Sequence, residues 1–359
     1  MEENFAEQIV PGTFIRVQAE ALIAPKGVAY GNVGIVGTAA NVVGGDVLGS
    51  TQLLSSLEDA YKIYAPSDAL STGNLNLMRG MELLFRNGAT TVYAQGLAQG
   101  ATQTDFATAV DELLKEEINL LIIPELDTTT TTTVLKAAVN SAETNARDVI
   151  AVIGSDASGL EQITPQVNAD KRLVLCTPGV EAYDAAAKQT VTLPGNYTAA
   201  AVAGLIASLA PQASPTNKTL PGVTKLATKY SYGALKALLQ ANVLPLESRQ
   251  GIRVVRGITT EGAAFTQITT RRIVDYAKQG IRNVANPFVG RLNNERVRKA
   301  LHGAIDSFLA TMLVDEALVA YEHEVKASRQ DEIAGRCVVN VLLQPTFSID
   351  YIRVTLALS

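Results

Sequence analysis

Apolar and polar positions follow two different periods along the first two thirds of the chain. Short unbroken apolar runs, typical of strands buried on both faces, alternate with segments in which apolar residues recur every three or four positions. The predicted strands are Val33–Thr38, Thr90–Ala94, Asn119–Ile123, Val149–Ile153 and Arg172–Cys176, and the predicted helices are Leu75–Arg86, Thr104–Glu116 and Thr132–Asn145. This order predicts an α/β domain with a largely parallel sheet that is covered on both faces.

The C-terminal part has a different pattern. A strand-like run at Gly251–Thr260 precedes a helix at Ile268–Ala285 and a long helix at Asn293–Ala327, whose apolar residues are spaced by three and four. Two further strand-like runs follow and meet at Gln344-Pro345, the second one being Thr346–Leu358. We therefore predict an α+β domain formed by the N- and C-terminal parts, with the α/β domain inserted between about residues 25 and 225.

Both ends of the sequence contain extended segments, Pro11–Val17 and Thr346–Leu358. The terminal run has apolar residues on both faces of a strand, and such a strand offers unpaired N–H and C=O groups to a neighbouring chain. We expect two arms that join copies of the protein, so the pattern favours assembly over chemistry. The candidate assembly residues are Pro11, Gly12, Phe14 and Ile15 in the first arm and Phe347, Ile349, Tyr351, Ile352, Val354 and Leu356 in the second.

Composition limits the class of protein. The chain has 359 residues, enough for two domains, and 47% of them are apolar. No apolar run approaches the ~20 residues of a membrane helix, so we expect no membrane insertion. The first residues, MEENFAEQ, are polar and acidic and do not resemble a secretory signal. Cys176 and Cys337 each lie in an apolar strand-like run, which predicts buried, reduced thiols in a cytosolic protein.

Charge is distributed unevenly along the chain. Residues 1–219 contain 12 Lys and Arg against 23 Asp and Glu, whereas residues 220–359 contain 18 against 12. An acidic larger part and a basic C-terminal part indicate either two ordinary solvated surfaces or a basic surface that contacts an acidic partner. We expect no nucleic-acid partner, because the basic residues do not form a stripe with interleaved stacking aromatics.

Candidate chemical groups are few. Glu125, Asp127 and Asp156 follow predicted strands and could hold a divalent cation, or act as helix caps and loop residues. The run Thr128–Thr133 is predicted to connect a strand to the next helix, with its last members capping that helix. Gly31, Gly34 and Gly37 do not have the G-x-G-x-x-G spacing of a dinucleotide site.

The two histidines also lack a catalytic context. His302 and His323 have no Ser or Cys nucleophile in a recognisable motif, and G-x-S-x-G is absent from the sequence. We expect both to be surface or interface residues. The sequence therefore predicts no catalytic residue, no cofactor and no metal site.

Several motifs, in a fixed order, resemble the tail sheath family of contractile phage tails and related contractile injection systems. The apolar segment PGNYTAAAVAGLIASLA, Pro194–Ala210, is followed by Ser214-Pro215-Thr216-Asn217 and by Gly222-Val223, as in that family. The resemblance continues through Gly251–Glu261, then through the segments RRIVDY and FVG…NN, and Pro11–Phe14 resembles the family's opening Pro-Gly-Val-Tyr. Val255 and Arg256 depart from it, because a Trp is common there.

The resemblance implies a structural subunit and not an enzyme. It implies that residues 1–25 form an arm that joins an inner domain and that residues 26–222 form an inserted outer domain. Residues 223–345 would form the inner domain and residues 346–359 a C-terminal arm. Such subunits polymerise helically around an inner tube and contract to drive it through a target envelope. The implied partners are other copies, the tube protein, and baseplate and cap proteins, with assembly in the bacterial cytoplasm. Arg296, Arg298 and Lys299 would then face the tube or a neighbouring copy.

A different class of protein remains as the alternative. A soluble α/β enzyme or ligand-binding protein could use the terminal strands to form a small oligomer. The size of the assembly distinguishes the two, because a sheath forms rings or long tubes. The kind of particle, whether phage tail, bacteriocin or injection system, is left open.

Overall fold

The computed structural model describes residues 28–39, 47–64, 76–184 and 188–356. Its helices are α1 (Leu57–Ile63), α2 (Leu77–Arg86), α3 (Gln103–Leu113), α4 (Thr128–Thr144), α5 (Leu160–Ile163), α6 (Gly195–Ser208), α7 (Tyr232–Gln240), α8 (Ile268–Ala285), α9 (Glu295–Val314) and α10 (Arg329–Ile333). Its strands are β1 (Val33–Thr38), β2 (Thr51–Leu54), β3 (Val92–Leu97), β4 (Leu120–Ile122), β5 (Ile150–Gly154), β6 (Leu173–Thr177), β7 (Val180–Asp184), β8 (Gln189–Leu193), β9 (Lys225–Leu226), β10 (Leu244–Ser248), β11 (Ile252–Val254), β12 (Leu318–Lys326) and β13 (Val338–Pro345). In these ranges no helix is both long and apolar enough to span a bilayer.

An eight-stranded sheet forms the centre of one compact unit, which contains Ala29–Tyr276 and the chain from Pro345 onward. The strand order is β11-β10-β6-β5-β4-β1-β3-β2. The six inner strands are parallel, and the edge strands β2 and β11 are antiparallel to their neighbours. All five strands predicted for the α/β domain lie in this sheet, and the prediction of a largely parallel sheet is confirmed.

Helices cover both faces of the sheet because its strands are apolar on both sides. In β1, Val33 and Ile35 belong to the core beneath α2 and α6, while Val36 belongs to the core beneath α3 and α4. Helix α6 is buried around almost its whole circumference. Its Ala- and Gly-rich sequence, singled out in the resemblance, permits this close packing against its neighbours.

A second compact unit contains Ala277–Gln344, with α9, α10 and the two-stranded sheet of β12 and β13. The two units divide at different residues from the predicted domains 26–222 and 223–345. Strands β9 to β11 belong to the unit with the large sheet, because β10 extends that sheet by pairing with β6. The assignment of an inserted outer domain and an inner domain stays a prediction.

The prediction of one helix over Asn293–Ala327 is wrong beyond Val314. Asp315 caps α9, and Glu316 has a φ of 60°, the left-handed conformation that commonly ends a helix. The chain from Leu318 then forms β12, with alternately exposed and half-buried side chains. Valine and tyrosine in this stretch favour a strand, and the spacing of its few apolar residues fits both periods.

Two other local predictions need correction. The run Thr128–Thr133 is the first part of α4 and not a connection, and the residue that caps this helix is Asp127. The hydroxyls of Thr132 and Thr133 donate to the carbonyls four residues earlier, at 2.7 and 2.9 Å, so these threonines are compatible with a helix. Of the predicted strand Gly251–Thr260, only Ile252–Val254 is a strand.

Candidate assembly interface

The chain that follows β13 is extended, and its side chains alternate between the subunit and solvent. Ser348 and Asp350 are half-buried, whereas Phe347, Ile349 and Tyr351 are 62%, 80% and 73% exposed. The polar residues thus face the subunit and the apolar ones face solvent. This is the reverse of the usual arrangement, and exposed apolar surfaces of this kind are typical of interaction sites.

Beyond Asp350 the described chain is exposed at every residue to Leu356. Ile352, Val354 and Leu356 are 82%, 75% and 85% exposed. Residues 346–356 form no strand, so the predicted strand Thr346–Leu358 does not exist within the described part of one subunit. A strand requires a partner for its N–H and C=O groups, and none of the described strands pairs with this segment.

Strands β12 and β13 form a separate sheet of only two strands. Among the described residues no third strand pairs with either of them, so each has an open edge. Two-stranded sheets are marginally stable alone, and open edges accept further strands. In β12 the side chains of Tyr321 and Val325 are half-buried. In β13 the side chain of Leu342 is 67% exposed. The sequence did not reveal this sheet, because β12 was assigned to the preceding helix.

Helix α9 supports the two-stranded sheet through polar and aromatic contacts. The hydroxyl of Tyr321 donates to the Asp306 carboxylate at 3.0 Å, and the rings of His302 and His323 stack with centroids 4.1 Å apart. The side chain of His323 is only 4% exposed. His323 is therefore a packing residue between strand and helix and not a surface residue.

The residues predicted for the first arm, Pro11, Gly12, Phe14 and Ile15, lie outside the described residues. Near the start of the described chain, the carbonyl of Tyr30 accepts a hydrogen bond from Arg272 of α8 at 3.1 Å. The Tyr30 ring makes an edge contact with the Tyr276 ring. Arg272 also donates to the Leu209 and Ala210 carbonyls after α6. Burial lowers the pKa of the Arg272 guanidinium to about 10.

The three basic residues predicted to face a partner do not form one patch. Arg298 is bound within the subunit, to the Glu332 carboxylate at 3.0 Å and to Asn293 at 2.9 Å. Lys299 is exposed and pairs with Glu295 at 2.8 Å, and Arg296 is exposed. Because successive helical residues are about 100° apart, Arg296 and Lys299 share one side of α9 and Arg298 lies on another. Their contact with a partner stays a prediction.

The three acidic residues considered as cation ligands are engaged by protein donors. Glu125 accepts from the backbone N–H and the hydroxyl of Thr38 at 2.6 and 2.7 Å, and Asp156 accepts from the Thr128 hydroxyl at 2.7 Å. Asp127 caps α4, and hydrogen bonds from Thr130 lower the pKa of its carboxyl. Across the described ranges, no group of three or more His, Cys, Asp or Glu residues could hold a metal ion.

The two cysteines are both free thiols, but only one matches its prediction. Cys176 is buried in β6, and desolvation raises the pKa of its thiol well above the usual range. Cys337 immediately precedes β13 and is exposed, and its sulfur lies 3.7 Å from the Lys326 carbonyl. The prediction that Cys337 is buried is wrong.

A buried cluster of charges, which the sequence did not reveal, joins three elements of the larger unit. Arg172 is fully buried at the start of β6 and bonds to Glu143 of α4 at 3.0 Å, to Asp148 at 2.7 Å and to Asp275 of α8 at 2.9 Å. The hydrogen bond from Arg172, together with Lys171, lowers the pKa of the Glu143 carboxyl to about 2. Such a cluster has no recognisable spacing, because its members are separated by up to 103 positions.

Comparisons with known families match most of the chain. The family model described as the phage tail sheath protein central domain matches residues 99–260, and the one for the phage tail sheath C-terminal domain matches residues 260–359. No curated protein shows significant sequence similarity to the chain.

Solved structures with the same fold cover nearly the entire chain. The helical sheath of the anti-feeding prophage in its contracted state has a TM-score of 0.76 at 18% identity, covering 98% of this chain and 99% of that one. The contracted sheath complex of the extracellular contractile injection system PVC has a TM-score of 0.73 at 16% identity and 98% coverage of both chains. A sheath tail protein from Desulfitobacterium hafniense has a TM-score of 0.70 at 12% identity, and the match covers 93% of this chain and 100% of that one.

Proposed function

We propose, since this chain belongs to the phage tail sheath protein family, that it is a sheath subunit that polymerises helically around an inner tube and contracts to drive that tube through a target envelope. The observation that carries this proposal is the terminal segment from Phe347 to Leu356, which exposes its apolar side chains and has no partner strand among the described residues. A non-enzymatic role follows from membership in a structural family.

The terminal segment is the donor in this proposal. Its exposed apolar side chains gain about 25 cal/mol for every Å² that a neighbour buries, and its free backbone groups gain hydrogen bonds on pairing. The segment from residue 351 to 356 would span about 20 Å when extended, enough for one additional strand. Strand addition ties two bodies together through main-chain bonds while leaving each folded body intact.

The two-stranded sheet of β12 and β13 is the acceptor. It has the fewest strands of the three sheets in the described chain, and it gains most from additional strands. Donor and acceptor are different surfaces, so each copy can give its segment to a second copy and accept the segment of a third, which makes the contact heterologous. Such contacts propagate from copy to copy and build rings, helices or tubes instead of closed dimers. The arm at Pro11–Val17 would supply a further strand of the same kind.

Contraction requires subunits that move as rigid bodies while staying linked. In the proposed mechanism, the extended sheath is kinetically trapped, and rotation of whole subunits into a more stable packing releases interface free energy. Strands exchanged between copies act as tethers through this movement. No nucleotide hydrolysis is required at the moment of contraction.

The proposed partners follow from this role. They are further copies of the chain, an inner tube protein, and baseplate and cap proteins at the ends of the sheath, with assembly in the bacterial cytoplasm. The basic C-terminal part would form the inner layer and the acidic larger part the outer layer. Arg296 and Lys299 are the exposed members of the predicted basic set.

Truncation tests the proposal directly. A chain that ends at Asp350 should fold and remain soluble, because the residues removed are exposed from Tyr351 to Leu356, but it should not form tubes. Deletion of residues 1–17 should give the same result. Light scattering after size exclusion and negative-stain microscopy, with the full chain as control, measure both outcomes. Tubes of ordinary length from the chain truncated at Asp350 would refute strand donation by this arm.

A further inference from the structure

The start of the terminal segment is held to its own subunit by the amide of one side chain. The backbone N–H of Ser348 donates to the Gln267 side-chain oxygen at 3.1 Å, and the Gln267 amide nitrogen donates to the Ser348 carbonyl at 3.2 Å. One glutamine thus satisfies both backbone groups of Ser348, as a residue of a neighbouring strand would do. This pair of bonds fixes both the position and the direction of the backbone at residue 348.

Two residues later the segment is held by a charged contact. The Arg256 Nε lies 2.7 Å from Oδ2 of Asp350, and Gln267 donates to the same oxygen at 3.1 Å. The Asp350 side chain is only 6% exposed and that of Arg256 23%, so this pair is screened less by salt than a surface ion pair. The Arg256 guanidinium also lies 5.5 Å from the centre of the Tyr351 ring.

The two residues that hold the segment are themselves fixed by a closed loop. Gln267 pairs with Ile258 in an antiparallel bridge, and the Ile268 N–H donates to the Gly257 carbonyl at 3.2 Å. Within this loop the Thr259 N–H bonds to the Thr266 carbonyl at 2.9 Å. Arg256 and Gln267 are therefore held close to each other by backbone hydrogen bonds.

We propose that Arg256 and Gln267 are positioning residues that clamp Ser348 and Asp350 and so fix the point from which residues 351 onward reach a neighbouring copy of this chain. The inference rests on the proposed function of the terminal segment as a donated strand. The hydrogen bonds to the segment end at Asp350, and every described residue from Tyr351 onward is exposed, so the clamp defines where the subunit ends and the arm begins.

The clamp matters because the effective concentration of the terminal segment at the acceptor sheet falls as the free chain before it becomes longer. Without the clamp, the free part of the chain would begin after β13 at Pro345 and be longer by about five residues, which lowers its effective concentration at the acceptor. A loose tether would also absorb the rotation of one subunit instead of passing it to the next. The clamp therefore serves both assembly and contraction.

The test is the double variant Arg256→Gln with Gln267→Ala, made in the full chain. We expect hydrogen exchange at the Ser348 amide to accelerate about tenfold or more, and the protein concentration needed for tube formation to rise about tenfold, as for the loss of one charge-assisted hydrogen bond. Arg249→Gln is the matched control, since Arg249 is an exposed arginine that pairs with Glu247 nearby. It should assemble like the wild type.

Two further variants keep the result decisive. Asp350→Ala removes the carboxylate of the terminal segment that Arg256 and Gln267 hold. It tests the clamp in the same assays if the double variant does not fold. The charge swap Arg256→Asp with Asp350→Arg should restore part of the assembly lost in Asp350→Ala, which a general loss of stability would not allow.

The outcomes separate the clamp from the function on which it rests. Asp350→Ala that assembles like the wild type, while the chain truncated at Asp350 does not assemble, would overturn the clamp and leave strand donation intact. Assembly by the truncated chain would overturn strand donation itself. Assembly lost in Asp350→Ala, with Ser348 exchange accelerated and partial recovery in the charge swap, would support the clamp.

Discussion

At the scale of single residues, α8 and α9 approach closely where α8 has no side chain. A Cβ atom placed on Gly280 would lie 1.8 Å from Cζ of the Phe308 ring and 2.4 Å from both Cε atoms. Phe308 is 5% exposed and belongs to the buried face of α9, so its ring has little room to withdraw. The contact between the two helices thus depends on glycine at this position.

We predict that Gly280→Ala lowers the free energy of unfolding by about 1–3 kcal/mol, because overpacking forces the ring or the helices apart. The matched control is Gly303→Ala in α9, where a Cβ would meet no atom within 4 Å. That variant should raise the free energy of unfolding by about 0.5–1 kcal/mol, the ordinary gain of alanine over glycine in a helix. Urea denaturation measures both. Equal effects of the two substitutions would contradict the packing argument.

Glu143 should make the folded state sensitive to acid. Its pKa is lowered from the ordinary value of 4.5 to about 2 by Arg172 and Lys171, so its contribution to stability is complete above about pH 4.5 and is lost as the pH falls towards 2. Glu143→Gln should therefore reduce the loss of melting temperature between pH 4.5 and 2. Glu112→Gln, at a 47% exposed side chain paired with Lys115, is the control. Identical pH profiles for wild type and Glu143→Gln would exclude this role.

At the scale of elements, the terminal segment lacks a paired strand and the sheet of β12 and β13 lacks further strands in the described chain. Within the described ranges, the segment alternates like a strand but pairs with no other strand, and the sheet has open edges and only two strands. A strand with apolar residues on both faces is stable only when covered on both sides. In the proposed assembly, the terminal segment of one copy extends the two-stranded sheet of another.

We predict that Val354→Pro abolishes tube formation while leaving the melting temperature of the subunit unchanged. Proline removes a backbone donor and fixes φ, which a paired strand tolerates poorly, whereas Val354 is 75% exposed and pairs with none of the described strands. Val354→Thr retains the N–H and the β-branched shape and should still form tubes. Circular dichroism melting and negative-stain microscopy compare the variants. Tubes formed by Val354→Pro would show that this residue is not part of an exchanged strand.

At the scale of the whole molecule, charge separates the two parts of the chain. Residues 220–359 carry a net charge of +6 and residues 1–219 a net charge of −11. Single surface ion pairs contribute only about 0–1 kcal/mol, but a repeating assembly forms the same pair in every subunit. A small gain for each copy can therefore decide whether a long array forms.

We predict that Arg296→Glu with Lys299→Glu impairs assembly around the tube without unfolding the subunit. Both side chains are exposed, so folding should change by no more than about 0.5 kcal/mol from the lost pair of Lys299 with Glu295. Lys115→Glu, the reversal of an exposed charge in the turn after α3, is the control. Co-expression with the tube protein and sedimentation of assembled particles give the readout. Normal assembly would mean that this side of α9 is only solvated.

The sequence was sufficient for elements whose apolar period is unambiguous. Strand β1 and helix α8 have the predicted bounds, and the parallel sheet follows from unbroken apolar strands alternating with amphipathic helices. Prediction from the sequence failed where the local pattern of apolar residues fits both a helix and a strand. Leu318–Lys326 continues the spacing of α9 and also alternates as a strand, and only the turn at Glu316 and the pairing with β13 decide between them.

By itself, the sequence determined the α/β class, the family and the presence of a strand-like terminal run, because these depend on local periodicity and on motif order. The tertiary structure decided which groups meet. It brought Gln267 and Arg256 to Ser348 and Asp350 across more than 80 positions, gathered three carboxylates around Arg172, and enclosed Arg298 in a pair with Glu332. Such contacts follow from the packing of elements distant in sequence, and that packing leaves no periodic trace in the chain.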